Sequence, residues 1–295
     1  FDILPVYKRS SQMRNQVKQI LKEEFDDLVN KIEQDFRTNY NKKRRNFIIS
    51  QFDDETIAEM VFVSSFESKS GNTIERCAKR FARLRYGNEN VPSVVNMTGH
   101  EVDVVNTDTK TQLIVSHIDM SNATLRGQIT TFKNNNMSAG RTPSTLNHAK
   151  MQELVTLGNN YITNELHTKL VDLAFYDGTN WNIMEIKAGG DLDSSNAPSN
   201  IDKLLVLYTG MHTTNCKAFF ATLYNKDGEG HVWNGCVKKY INYPQNFLIG
   251  SQFWNKVLPG GIQFEEFCEL YQEVLNEIDL NTRIRNLIRS VSGVN

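Results

Sequence analysis

Proline and cysteine are both scarce, at 6 and 4 residues in 295. The cysteines, Cys77, Cys216, Cys236 and Cys268, form no C-x-x-C and have no histidine pair nearby, which argues against a structural zinc site and a disulfide scaffold. A reducing cytoplasm fits that usage best. No apolar run approaches the ~20 residues that span a bilayer, and the start at Phe1 carries no signal-peptide pattern. Phe1 in place of methionine suggests that natural residues precede it. Neither sign of charge prevails: Lys and Arg number 33, Asp and Glu 34, and the net charge is -1. That balance neither announces a nucleic-acid partner nor excludes one, because local distribution outweighs the sum. Repeats and low-complexity linkers are missing too. One elaborated domain over 1–295 is therefore expected, with an N-terminal helical extension over 1–55, a core over 56–245 and a C-terminal helical region over 246–295. At 39% hydrophobic content the chain can bury an ordinary core.

What is present reads first as helix. Val17, Ile20, Leu21, Phe25, Leu28, Val29, Ile32 and Phe36 recur every three or four residues with charges between, so the spacing predicts a long amphipathic helix over 12–37. The basic run NKKRRN at 41–46 either meets phosphate or solvates that helix's end. A second helix is expected over 54–66. Ser70, Gly71 and Asn72 then predict a break, with Asn72 capping a further helix over 73–85. Glu75 falls in the first turn of that helix, where a carboxylate complements the dipole.

Residues 99–120 read as a hairpin around a polar turn at 106–111. From 121 to 145 the chain is polar and rich in Asn, Thr and Gly, which predicts a long loop. Such loops inside compact domains are usually functional or mobile, and Arg126, Lys133 and Arg141 within it are candidate base or phosphate contacts. Beyond it the pattern predicts helices over 145–169 and 199–212, strands over 216–225 and 231–241, and a terminal helix over 263–290.

The stretch LVDLAFYDGTNWNIMEIKAGGD, residues 170–191, places two acids and a lysine on what reads as a two-stranded ribbon. If the turn DGTN is centred between Gly178 and Thr179, paired residue numbers sum to 357 and Asp172 lies across from Glu185. Val171, Leu173, Phe175, Met184 and Ile186 then share one face, and Asp172, Glu185 and Lys187 the other. An odd-length turn would shift that parity. Opposed like charges destabilise a sheet by up to ~1 kcal/mol, so a cation should compensate them. Lys187 is one candidate. A divalent metal is another, because hard carboxylate oxygens at this spacing suit magnesium. The competing reading is a cross-strand salt bridge on a wet sheet face. An acid, any residue, then lysine is a weak pattern, occurring also as ESK at 67–69 and DTK at 108–110. Only EIK at 185–187 follows a partner strand carrying an acid and leads into glycines.

Asp172 followed, after 12 residues, by Glu185-Ile186-Lys187 resembles the signature of the PD-(D/E)XK nuclease superfamily, with Val171 where a proline is usual. The resemblance implies an α/β (mixed α+β) restriction-endonuclease-like core, a central mixed β-sheet flanked by helices, with helical elaborations at both ends. Within that superfamily, SGNTIE before a basic helix ending RLRYG, the KAG at 187–189 and GSQFWNKVL at 250–258 are similar to type II restriction endonucleases of the TdeIII kind. Asp172 and Glu185 are thereby implied to hold one or two Mg2+ ions, which Mn2+ can replace, with the Ile186 carbonyl as a further ligand. Glu75 would add a metal contact from its helix, and Lys187 would stand beside the attacking water.

The partners so implied are double-stranded DNA cut at a short palindromic site, with GGNCC as the pattern among relatives. A second copy of the chain and a cognate DNA methyltransferase complete the set, in a prokaryotic cytoplasm and with no membrane. In-line attack would leave 5'-phosphate and 3'-hydroxyl ends. The competing functions are another nuclease of the same core, for repair, recombination or RNA processing, and a catalytically inert DNA-binding protein. A metal-free cysteine enzyme is disfavoured, since no histidine stands beside Cys77 or Cys216.

Overall fold

The computed structural model describes residues 6–189, 192 and 194–292. In chain order its helices are α1 (Val6–Arg44), α2 (Asp54–Tyr86), α3 (Ala123–Asn136), α4 (His148–Met151), α5 (Glu153–Gly158), α6 (Asn196–Met211), α7 (Ser251–Val257), α8 (Phe264–Glu277) and α9 (Leu280–Ser292). The strands are β1 (Val94–Asn96), β2 (Gln112–Ile118), β3 (Ile162–Val171), β4 (Leu173–Tyr176), β5 (Trp181–Lys187), β6 (Cys216–Thr222) and β7 (Phe247–Ile249). Contacts divide the chain into a helical unit, Phe1–Arg80 with Pro259–Asn295, and a sheet unit, Phe81–Leu258. Among the described residues no helix is long and apolar enough to cross a membrane.

In the helical unit the three-and-four spacing of α1 buries Val17, Leu21, Phe25, Leu28 and Ile32, and the Phe25 ring meets Tyr271 of α8 edge-on at 5.0 Å. Charges flanking that stripe are paired. Arg76 Nε lies 2.6 Å from Glu24, and the Arg283 guanidinium bridges Asp26 and Glu33 at 2.7 and 2.6 Å. The basic run resolves in favour of a helix end, because Arg44 closes α1 and pairs with Asp54 at the start of α2.

The predicted break at Ser70, Gly71 and Asn72 is absent, and α2 runs through it without interruption. Buried residues on both sides of the expected break, Ile57, Ala58 and Val61 before it and Thr73, Cys77 and Ala78 after it, hold one helix together against weak local propensity. Glu75 consequently sits deep inside α2, where backbone N–H groups are already bonded, and the first-turn dipole reading lapses. The expected terminal helix over 263–290 is instead two, because Asp279 adopts a left-handed φ of 52° between α8 and α9.

The sheet unit bears out the mixed α/β class, with the β-structure in two sheets. One has the order β1-β2-β3, with β1 parallel and β3 antiparallel to β2. The other has the order β4-β5-β6-β7, with β4 antiparallel to β5 and the remaining pairs parallel. Parallel neighbours need a crossover, and α6 supplies it between β5 and β6. Every residue from 204 to 211 is buried, so α6 is a core helix, packed on β2, β5 and β6 and against α3 and α5.

Several local expectations are overturned here. Only 112–118 of the expected 99–120 hairpin is strand, and its partners are β1 and β3. The polar turn expected at 106–111 does form, with Asn106 and Asp108 side chains accepting backbone N–H groups at 108, 110 and 111, but the segment before it is not strand. The polar 121–145 segment contains α3, capped by Asn122, which accepts from Thr124 N and Leu125 N, and buried through Leu125 and Ile129. The helix expected over 145–169 ends by 158, and 162–171 is strand β3. No strand forms over 231–241, where Trp233 is buried ahead of a short helical turn at Cys236–Lys239; the free edge of β6 is taken by β7.

The RLRYG and GSQFWNKVL motifs meet in this unit. Arg85 Nη1 donates to the Asn255 and Leu258 carbonyls at 2.7 and 2.8 Å, the Tyr86 hydroxyl donates to Lys256 O at 2.7 Å, and the Tyr86 ring stacks on Phe175. These residues brace β4 and are committed to the fold.

Two stability outcomes follow from this packing. A Cβ at Gly71 would meet nothing within 4 Å, so Gly71→Ala should raise unfolding free energy by about 0.5–1 kcal/mol in urea titrations, whereas a true break there would make it neutral or costly. His148 is held neutral, with Nε2 donating to Gln245 O and Nδ1 accepting from Asn246, each at 3.0 Å; burial lowers its pKa from 6.5 to about 4. Because the folded value lies below the unfolded one, its contribution is complete above pH 6.5 and disappears as pH falls towards 4. His148→Gln should flatten that part of the stability-pH profile by about 2 kcal/mol, the full shift being discounted for partial solvent access.

Candidate active site

The ribbon turn is Asp177-Gly178-Thr179-Asn180. Asp177 Oδ1 accepts the N–H groups of Thr179 and Asn180 at 3.1 and 2.9 Å, and Gly178 takes a φ of 92° that a side chain would strain. Burial opposes the Asp177 carboxylate, but these bonds and those from Asn182 and Lys256 outweigh it and bring its pKa to about 2. The pairs Tyr176↔Trp181, Phe175↔Asn182, Ala174↔Ile183 and Leu173↔Met184 each sum to 357, the register expected from the sequence.

Asp172 stands one residue beyond the last of these pairs, where the chain leaves the first sheet at Val171 and enters the second at Leu173. Gln112 fixes that crossing. Its backbone is in register with Val171, while its buried side chain accepts from Ala174 N and donates to Ala174 O, both at 2.7 Å, in the manner of a neighbouring strand. Asp172 Oδ2 in turn accepts the Ile186 N–H at 2.8 Å. In an extended strand the N–H and C=O of one residue face the same edge, so the Ile186 carbonyl is also directed to the Asp172 side.

Glu185 is 1% exposed and Asp172 8%, which is not the wet sheet face of the salt-bridge reading. Two ammonium groups compensate the pair. Lys187 Nζ lies 2.6 Å from Glu185 Oε1, and Lys203 Nζ lies 2.6 Å from Glu185 Oε2 and 3.2 Å from Asp172 Oδ1. Both oxygens of Glu185 thus face an ammonium group. Burial, then the Asp172 charge, push the Glu185 pKa up against the pull of Lys187 and Lys203. Burial opposes the Lys203 ammonium as well, but Asp172 and Glu185 outweigh it and raise its pKa.

This donor set fits a hard divalent cation. Two buried carboxylates meet at one ammonium, and their mutual repulsion is one that a doubly charged ion would relieve. Among the described residues no group of three or more His, Cys, Asp or Glu side chains forms a metal cluster. Glu75 belongs to the helical unit and the acid pair to the sheet unit. Cys77 and Cys216 are buried and burial pushes their thiols up, which removes both as thiolate nucleophiles.

The sequence matches the family model of the type II restriction endonuclease HinfI over residues 13–275. The chain belongs to the HinfI family. No curated protein and no solved structure shows significant similarity to it. Membership makes this HinfI-family chain a restriction endonuclease, a DNA-binding hydrolase; the resemblance to the TdeIII kind is finer than the match.

The three basic residues chosen from 121–145 part company in this HinfI-family structure. Lys133 is buried on α3, its ammonium 2.8 Å from Asp202 Oδ1, 3.0 Å from Pro198 O and over the Tyr240 ring, which removes it as a DNA contact. Arg141 is exposed in the tight turn closed by Ala139 and Thr142. Arg126 is exposed on α3 beside Lys169 and Lys203. Sequence reasoning missed Lys203. Its signal is an Asp202-Lys203 pair in an otherwise apolar helix that follows the EIK strand.

Lys203→Met should therefore cost the HinfI-family fold about 2–3 kcal/mol in urea unfolding at neutral pH, with the deficit shrinking as pH falls and Glu185 takes up a proton. Lys31→Met, which removes only an exposed pair with Asp27, should cost under ~0.5 kcal/mol.

Proposed function

We propose that the chain is a Mg2+-dependent type II restriction endonuclease that cuts both strands of DNA at a short palindromic site, with Asp172, Glu185 and Lys187 at its centre. The observation that carries this is the convergence of two buried, mutually repelling carboxylates and a lysine at the end of β5. Asp172, Glu185 and the Ile186 carbonyl would hold the ion. When bound, it supplies positive charge that polarises a phosphoryl oxygen and acidifies a water. Lys187, partly open to solvent, would orient the attacking water and offset negative charge developing on phosphorus. Glu185 keeps Lys187 in place by its 2.6 Å contact. Attack of water on phosphorus with breakage of the P–O3' bond, the departing O3' taking up a proton, would leave 5'-phosphate and 3'-hydroxyl ends. A palindromic target calls for two copies of the chain related by a two-fold axis, and protection of host DNA for a methyltransferase of the same specificity.

Digestion of plasmid DNA with Mg2+ tests the proposal, with the ends of the products sequenced. Discrete fragments with 5'-phosphates support it; smears or structure-dependent nicks would assign the same core to repair or recombination. Glu185→Gln, Asp172→Asn and Lys187→Ala should each lower kcat by at least ~10²–10³-fold while leaving duplex binding in Ca2+ near wild type. Independently of activity, Ca2+ should raise the melting temperature of the wild type and fail to raise that of Glu185→Gln. Full cleavage by Glu185→Gln would sink the assignment.

A further inference from the structure

Lys203 has two neighbourhoods. On one side it meets Asp172 and Glu185; on the other it lines a cavity of about 400 Å³ together with Arg126 from α3, Lys169 from β3, and Ser199 and Asp202 from α6. Burial, then Arg126 and Lys203, lower the Lys169 pKa, so three cations repel one another around one hollow. The acid on this wall does not relieve them, because the Asp202 carboxylate is engaged by the buried ammonium of Lys133 at 2.8 Å. Other cations of the chain, such as Arg76, Arg80 and Arg283, pair with carboxylates. Among the described residues Arg126 and Lys169 form no salt bridge. Lys203 has Asp172 and Glu185 as counter-ions, but Arg126 and Lys169 face the hollow without one, and an anion bound there would relieve the repulsion.

We propose that Arg126 and Lys169 clamp a backbone phosphate of the DNA strand being cut, one adjoining the phosphodiester at Asp172 and Glu185. This rests on the nuclease reading of that pair. The planar guanidinium of Arg126 can take two phosphate oxygens and Lys169 adds a point charge. Lys203, standing between the cavity and the acid pair, sets the two phosphates side by side. Such a contact carries no base information; it fixes the register of the strand against the acids.

The test measures binding of a fluorescent mixed-sequence duplex of about 30 base pairs to the full chain in Ca2+, between about 50 and 200 mM KCl. For Arg126→Ala/Lys169→Ala the plot of log K against log salt should be shallower by about 1, one phosphate contact having been lost, and affinity should fall roughly 5–10-fold near the middle of that range. Its urea midpoint should equal or exceed that of the wild type, since a repulsion is removed, and this separates the effect from misfolding. A variant with wild-type slope and affinity overturns the clamp while the wild type binds and cuts DNA. A wild type that neither binds duplex nor cuts plasmid overturns the nuclease reading, and the clamp with it. Stabilisation of the wild type alone by inorganic phosphate, with an unchanged DNA slope in the variant, would identify a site for free anion and count against the clamp.

Discussion

A carboxylate that is 1% exposed, facing a second one, is the constraint around which the sheet unit is built. Taking Glu185 out of water and placing it beside Asp172 is unfavourable twice over, through desolvation and through like charge. Packing has to impose the arrangement, and its means are visible. The four-residue turn at 177–180 sets the parity of β4 and β5. Gln112 closes the seam between the two sheets at Val171, the residue before Asp172, and at Ala174, the residue after Leu173. The crossover helix α6, buried on all sides along its second half, delivers a lysine to the acids from the opposite direction.

How much of this was legible in the sequence depends on the range over which each signal acts. The ribbon register could be read because turn chemistry and period-two alternation are local, and Asp177, Gly178 and Asn180 are residues whose backbone preferences decide the turn. The pair across it followed by arithmetic. Helix α1 was legible for the same reason, with eight apolar residues marking one stripe. The mixed α/β class followed from the resemblance that the acids and lysine carry, and the sheets bear it out.

Where sequence reasoning failed, a distant partner overrode a local preference. Ser70, Gly71 and Asn72 favour a break, yet burial on either side of them keeps α2 whole. Ile162 to Lys169 has the polar look of a helix surface, but β2 offers a ladder to pair with and the segment is a strand. Lys133 was indistinguishable from Arg126 by composition; what separates them is that Asp202, 69 positions further on, lies over one and not the other. Lys203 was missed for a related reason. A single lysine in a helix is normally a solvated charge, and only the placement of α6 beside β5 turns it into a counter-ion.

The acids owe their geometry to bonds that involve no ligand. Asp172 Oδ2 is fixed by the Ile186 amide and the backbone on either side of Asp172 by Gln112, while Lys187 and Lys203 hold the two oxygens of Glu185. A site assembled this way pays its reorganisation cost during folding, and incoming charge meets groups already oriented. The lysines have unequal duties in such a site. Among the described residues Lys187 pairs with Glu185 and keeps a partly open side, whereas Lys203 bridges both acids and stands where a cation of higher charge would compete with it.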